Sequence, residues 1–303
     1  RVYEYSSSSW SQLGSDIDGE AANDHSGNSE NGSAVSLSSN GTIVAIGANL
    51  NDGTGTSAGH VRVYEYSGGS WSQVGSDIDG EAAGDNSGGE VAMDSDGSHV
   101  AIGAYLNDGT TGDSDDNRGH VRIYEYSGGS WSQLGSDIDG EAAGDESGRS
   151  VSMNSDGDRV AIGATYNDGT SGDSDDNRGH VRVYAYSSGS WTQLGSDIDG
   201  EAAADYSGNV SMNSDGDRVA IGAPRNDGTA SSAGHVRVYE YSSGSWTQLG
   251  SDIDGEAGGD WSGWSVSMDS AGDRVAIGGH LNDGTGSDAG HVRVYSVSTS
   301  TTN

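Results

Sequence analysis

The sequence has no cysteine, no lysine and no phenylalanine. Without cysteine there are no disulfides and no thiolate metal sites, and the redox compartment leaves no mark. Without lysine, the 13 basic residues are all arginines, and they face 47 acidic ones for a net charge of −34. That balance excludes nucleic acid and anionic membrane as partners. It suits a saline medium, where repulsion between carboxylates is screened over a short distance. Without phenylalanine, Trp and Tyr must fill the core, and their polar tips need partners or the rim. Hydrophobic residues make up only 31% of the chain, no apolar run approaches the ~20 residues of a membrane span, and no signal peptide is visible. The chain opens at Arg1, in the middle of a repeat, as a processed piece of something longer would.

What is present is repetition. Trp10, Trp71, Trp131, Trp191 and Trp246 recur at intervals of 61, 60, 60 and 55 residues. Such self-similarity marks a repeat architecture. The clearest copy holds four segments of β-type composition: SVSM (150–153), RVAIGA (159–164), HVRVYAYS (180–187) and SWTQLGSDI (190–198). Turn chemistry bounds them at Asp156-Gly157, Asn167-Asp168-Gly169 and Ser188-Gly189. Four short strands in every ~60 residues, without helical period, predict an all-β fold, a five-bladed β-propeller of four-stranded antiparallel blades. The fifth copy lacks an outer strand, so Trp10–Ile17 is expected to supply it and close the ring. One third strand is then surplus, either Arg1–Ser6 or His291–Ser298. Residues 1–298 read as a single propeller domain, and 299–303 as the start of a Ser/Thr-rich linker or tail.

The motifs, taken in order, resemble FG-GAP repeats, the units of the integrin α-chain propeller. The Phe-Gly slot reads Ser-Gly here (Ser26-Gly27, Ser87-Gly88, Ser147-Gly148, Ser207-Gly208, Ser262-Gly263). The Gly-Ala-Pro slot is literal once, at Gly222-Ala223-Pro224. It is Gly-Ala in three other copies, and Gly279 replaces Ala in the last. The resemblance implies a propeller that is extracellular or on the cell surface and used in adhesion or ligand binding. It also implies a calcium loop at 152–160, where Asn154, Asp156 and Gly157 match. Ser152 and Val160 stand where ligands should be, with Asp158 as a substitute. Asn213, Asp215 and Asp217 repeat the arrangement. An Asp-Gly hairpin turn explains the same residues.

Carboxylates at positions 1, 3, 5 and 9 recur instead in the linker GSDIDGEAAGD. They are Asp16, Asp18, Glu20 and Asp24; Asp77, Asp79, Glu81 and Asp85; Asp137, Asp139, Glu141 and Asp145; Asp197, Asp199, Glu201 and Asp205; and Asp252, Asp254, Glu256 and Asp260. Alternate carboxylates in a tight loop can converge on calcium, the cofactor expected here; a solvated turn is the alternative. In an up-and-down blade this linker and the NDG loop between strands two and three lie at one end. One rim should therefore carry most of the negative charge and attract divalent cations or a protein or glycan partner. Self-association within a larger surface assembly fits the same picture.

Several features repeat or break symmetry. His60, His120, His180, His235 and His291 open the third strands, as structural hydrogen-bonding residues would. Arg62, Arg122, Arg182, Arg237 and Arg293 should pair with neighbouring carboxylates and hold blades in register. Trp261 and Trp264 offer a sugar-stacking platform or rim cover. Sequons stand at Asn31, Asn40 and Asn209. No nucleophile with an oriented base stands out. The expectation is a non-enzymatic interaction or structural module, extracellular or cell-surface, with a carbohydrate-binding lectin next and a hydrolase as the remote alternative.

Overall fold

The computed structural model describes residues 1–28, 33–109, 116–169 and 176–297. Sequon Asn31, the centres of the acidic loops at 110–115 and 170–175, and the tail from 298 lie outside the described residues.

The described chain is all β, and it is a β-propeller. Four antiparallel sheets have the order inner, second, third, outer strand. The third of them runs Ser150–Met153, Arg159–Ala164, His180–Ser187 and Ser190–Gln193. The predicted outer strand is split: after Gln193 the chain kinks, then Ile198–Asp199 returns to pair with Val181 and His180. Asp199 and its counterparts are therefore strand residues at the rim.

Blade-to-blade packing buries both faces, as alternate bulky residues require. Val61 and Val63 pack against Val91, Met93, Val100 and Ile102 of the next blade. Fully burying one such side chain contributes about 1.5–3 kcal/mol. The second strand alternates Val160 and Ile162 with the small Ala161 and Gly163, and this thin side has a specific cause. A Cβ on Gly163 would collide with the carbonyl oxygen of Gly208. The glycine of the Gly-Ala slot thus admits the backbone of the next copy's Ser-Gly slot, and the two repeated motifs are one contact.

A second latch uses the repeat tryptophan. Trp131 Nε1 donates to the carbonyl of Val74 in the preceding blade at 2.8 Å, and Trp71, Trp191 and Trp246 do the same to Leu13, Leu134 and Leu194. Gly75 follows at φ +73°, and a Cβ there would lie 2.7 Å from Trp131 Cδ1.

Closure differs from the expectation. The strands Tyr3–Ser6 and Ser9–Gln12 pair only with each other, and the last sheet has three strands. His291–Ser296 holds the third-strand place on Arg274–Gly279, so the N-terminal hairpin carries the surplus strand. Its place is set from the other side, where Leu13 and Asp18 accept hydrogen bonds from Trp71 and Arg62 of the first complete blade. Trp10 is 70% exposed, and Val292 and Val294 stay bare.

The inner strands of all five copies line a channel of about 760 Å³. Serines flank Val151 and Val266 along it, Glu90 and Ala92 flank Val91, Asn209 and Ser211 flank Val210, and Met93, Met153, Met212 and Met268 crowd one end.

Candidate functional site at the channel mouth

The other end of the channel lies at the rim with the acidic loops. Asp145 accepts from the Ala142 N–H (2.9 Å) and the Asn167 side-chain amide (3.0 Å), tying the linker to the NDG loop. Asp24, Asp85, Asp205 and Asp260 repeat this with Asn51, Asn107, Asn226 and Asn282. The fourth acid of each predicted quartet is thus engaged in a buried structural staple, and burial raises the Asp145 carboxyl above its ordinary range.

The other acids of one linker do not stay together. Glu141 faces His180 of the following blade, with Asp197 from the next linker beside them; Asp137 faces His120 with Glu81. The expected hydrogen bond is not what fixes these rings. Nε2 of His60, His120, His180 and His235 is buried without a partner. The arginines do hold blades in register: Arg182 donates to the Asp139 carbonyl at 2.7 Å and lies 3.7 Å from Glu141.

At the far rim, the 152–160 loop closes as a hydrogen-bonded turn. The Asn154 side-chain amide donates to Asp158 at 2.8 Å, and its oxygen accepts from Arg159 N–H at 2.9 Å. Asn213 and Asp217 repeat the first bond. Asp156 and Asp215 sit at the turn tips between them.

The symmetry-breaking residues converge at the channel mouth. Near the start of the inner strands the copies carry Ala34, Glu90, Ser150, Asn209 and Ser265; the last four pair with a glycine near the end of a second strand, and the Ala34 carbonyl accepts from the Gly47 N–H. Beside them runs a stack of rings and guanidinium groups. Arg149 lies between Tyr105 (5.1 Å) and Tyr166 (4.9 Å). Tyr166 meets Tyr206 edge-on at 5.4 Å. Arg225 lies between Tyr206 (4.4 Å) and Trp261 (4.7 Å). Trp261 and Trp264 are 5.6 Å apart, and His280 caps Trp264 at 4.8 Å. Asn209 and Trp264 line both the channel and a smaller cavity that reaches Arg149, Tyr166, Tyr206 and Arg225.

One glutamate stands at the start of an inner strand, Glu90. It is buried, lines the channel and accepts from the Ser33 N–H at 2.6 Å. Burial pushes its carboxyl up to about 8, against the N–H groups of Ser33 and Val151, which pull it down. Arg149 pairs with Glu146. Arg225 has no carboxylate partner among the described residues and is exposed. Trp261 and Trp264 were legible in the sequence; Glu90, Arg149 and Arg225 were missed. The signal was the column-by-column disagreement among otherwise near-identical copies.

No family model matches the chain, and no curated protein does. Similar solved structures include hydrazine synthase of Kuenenia stuttgartiensis (13% identity, TM-score 0.51, 87% of this chain and 71% of that one). A periplasmic gluconolactonase of Pseudomonas aeruginosa is similar too (13%, 0.51, 80% and 63%). So is the β-propeller domain of a trilobed protease from Pyrococcus furiosus, described as having an open velcro topology (11%, 0.49, 86% and 67%). These likenesses are of fold. Two expectations are corrected by the gluconolactonase likeness and by the mouth. The chain had read as a non-catalytic adhesion or assembly module because no asymmetric constellation was visible. The mouth assembles one, on a propeller of the kind found in a gluconolactonase, so neither the adhesion reading nor the non-enzyme reading is kept.

Proposed function

We propose that the protein is a hydrolase acting at the channel mouth on a small polyhydroxylated ester or sugar lactone. The observation that carries this reading is that one buried carboxyl, Glu90, lines the same channel as the symmetry-breaking Asn209 and Trp264, which also line the cavity holding Arg149, Tyr206 and Arg225. A reaction needs one constellation, whereas a repeated structural surface needs none. The gluconolactonase neighbour makes a lactone the first substrate class to try; the site's own residues supply the argument.

Trp261, Trp264 and Tyr206 provide faces on which the C–H side of a sugar ring stacks. Arg225, held between two of these rings, presents its N–H groups to a carbonyl or carboxylate oxygen. Glu90, with a carboxyl poised near neutrality, serves as general base. Its carboxylate takes a proton from water as the water oxygen adds to the acyl carbon. The acyl C–O bond then breaks, and the proton passes to the departing alkoxide, so water and lactone give the hydroxy acid.

The test is a pH-stat assay over a set of aldonolactones and small sugar esters. We expect turnover above the spontaneous rate, loss of about 10²-fold or more in Glu90→Gln and a raised KM in Trp264→Ala. No turnover, or turnover unchanged in Glu90→Gln, overturns the proposal; so does sugar binding without turnover.

Two finer readings accompany it. The Ser-Gly and Gly-Ala slots, which meet in every blade contact, support an FG-GAP-like repeat. The acidic surface supports a location outside the cytoplasm, in the periplasm or secreted.

A further inference from the structure

The dispersed linker acids form a second kind of site. In four copies a glutamate, a buried histidine and an aspartate from three separate segments place one ligand atom each within 4.8 Å of one another: Glu20–His60–Asp77 and its counterparts around His120, His180 and His235. The first copy shows the arrangement. His60 Nδ1 is 3.8 Å from Glu20 Oε2 and 3.9 Å from Asp77 Oδ2. Those separations are too long for hydrogen bonds. They suit an intervening ion, since the centre of such a triangle lies about 2.2–2.5 Å from each corner, within the range of metal–ligand bonds.

The carboxylates are oriented for this. Asp77 Oδ1 accepts from Gln73 at 2.5 Å, and Glu20 Oε1 faces Arg62 at 3.4 Å, leaving the other oxygen of each toward the imidazole. Such outer partners are what fix metal ligands in place. An independent sign comes from His235. It is 1% exposed, its Nδ1 has no hydrogen-bond partner, and that atom points at Glu201 Oε2, 3.8 Å away. The fifth copy keeps Glu256 and His291 at 3.7 Å but has no counterpart of Asp77 among the described residues. At the other end of the series, Asp16 is held by Arg1 instead.

We propose that each of the four Glu–His–Asp triads binds one divalent cation of the zinc or manganese class. One imidazole nitrogen with two carboxylates selects that class over calcium, which prefers oxygen alone. The glutamates and aspartates are half exposed, so the ion enters from solvent and keeps water ligands.

The test is metal content by mass spectrometry. The chain is stripped with chelating resin, incubated with zinc, manganese or calcium chloride at fixed ionic strength, and desalted. We expect four zinc or manganese ions per chain, less calcium, and three ions in Asp197→Asn and in Glu141→Gln. Both substitutions leave the buried imidazole in place, and circular dichroism checks their folding. Less than one zinc or manganese ion per chain, retention of calcium in preference to both, or four ions still held by Asp197→Asn overturns the proposal.

Discussion

Glu90 accepts the backbone N–H of Ser33 from the preceding blade at 2.6 Å. One carboxyl thereby joins two inner strands and faces the channel. Its proton affinity couples folding to pH. Its folded value, about 8, is above its ordinary value of 4.5, so the favourable contribution is complete below about pH 4.5 and is lost as pH rises through 8. Glu90→Gln should remove that loss. Melting curves of the two chains between pH 5 and 9 should diverge with rising pH, the variant becoming relatively more stable; parallel curves would show that Glu90 is not buried as described.

His99 and Asp94 form an ion pair at 2.7 Å on the opposite rim. The hydrogen bond His99 donates to Asp94 raises the His99 value despite burial. Burial pushes Asp94 up, but the bonds from His99 and Ser98 outweigh it and hold Asp94 below its ordinary value. The His99 contribution is present below about pH 6.5 and fades as pH rises through its raised value. The Asp94 contribution is present above about pH 4 and fades as pH falls. His99→Ala should therefore cost most near pH 5–6, about 1–2 kcal/mol, and less at pH 9. Denaturant titrations at the two pH values check this.

The tryptophan latch separates a hydrogen bond from a packing requirement. Trp131→Phe loses the bond to Val74 and should cost about 1 kcal/mol. Gly75→Ala must leave its positive φ or push into the Trp131 indole, and should cost more, about 2–4 kcal/mol. Equal effects would show that the steric fit at Gly75 is not limiting.

The repeat, the four strand types, the common rim of the two acidic loops and the role of the third-strand arginines were legible because each is a pattern repeated along the chain. Other features were not, for physical reasons. The linker quartets look like a single loop site in sequence, but Ile138–Asp139 pairs with Val121 and His120 of one blade before the chain passes to the next. Asp137 therefore stands beside His120, and Glu141, past the strand pair, beside His180. Closure by Trp10–Ile17 was inferred from counting strands, whereas the hairpin's position is set by the Trp71 and Arg62 bonds to Leu13 and Asp18. Glu90 was hidden because a lone glutamate in an acidic chain carries no signal until the inner strands turn it into the channel that Ser150, Asn209 and Trp264 also line.

The most direct measurement is the pH–rate profile of lactone hydrolysis by the native chain and by Glu90→Gln. If Glu90 is the general base, the native rate rises with pH along a limb centred near pH 8, and Glu90→Gln lacks both the limb and at least about 10²-fold of the rate. A native rate that tracks spontaneous hydrolysis, or a variant that keeps the same limb, contradicts a hydrolytic site at the channel mouth.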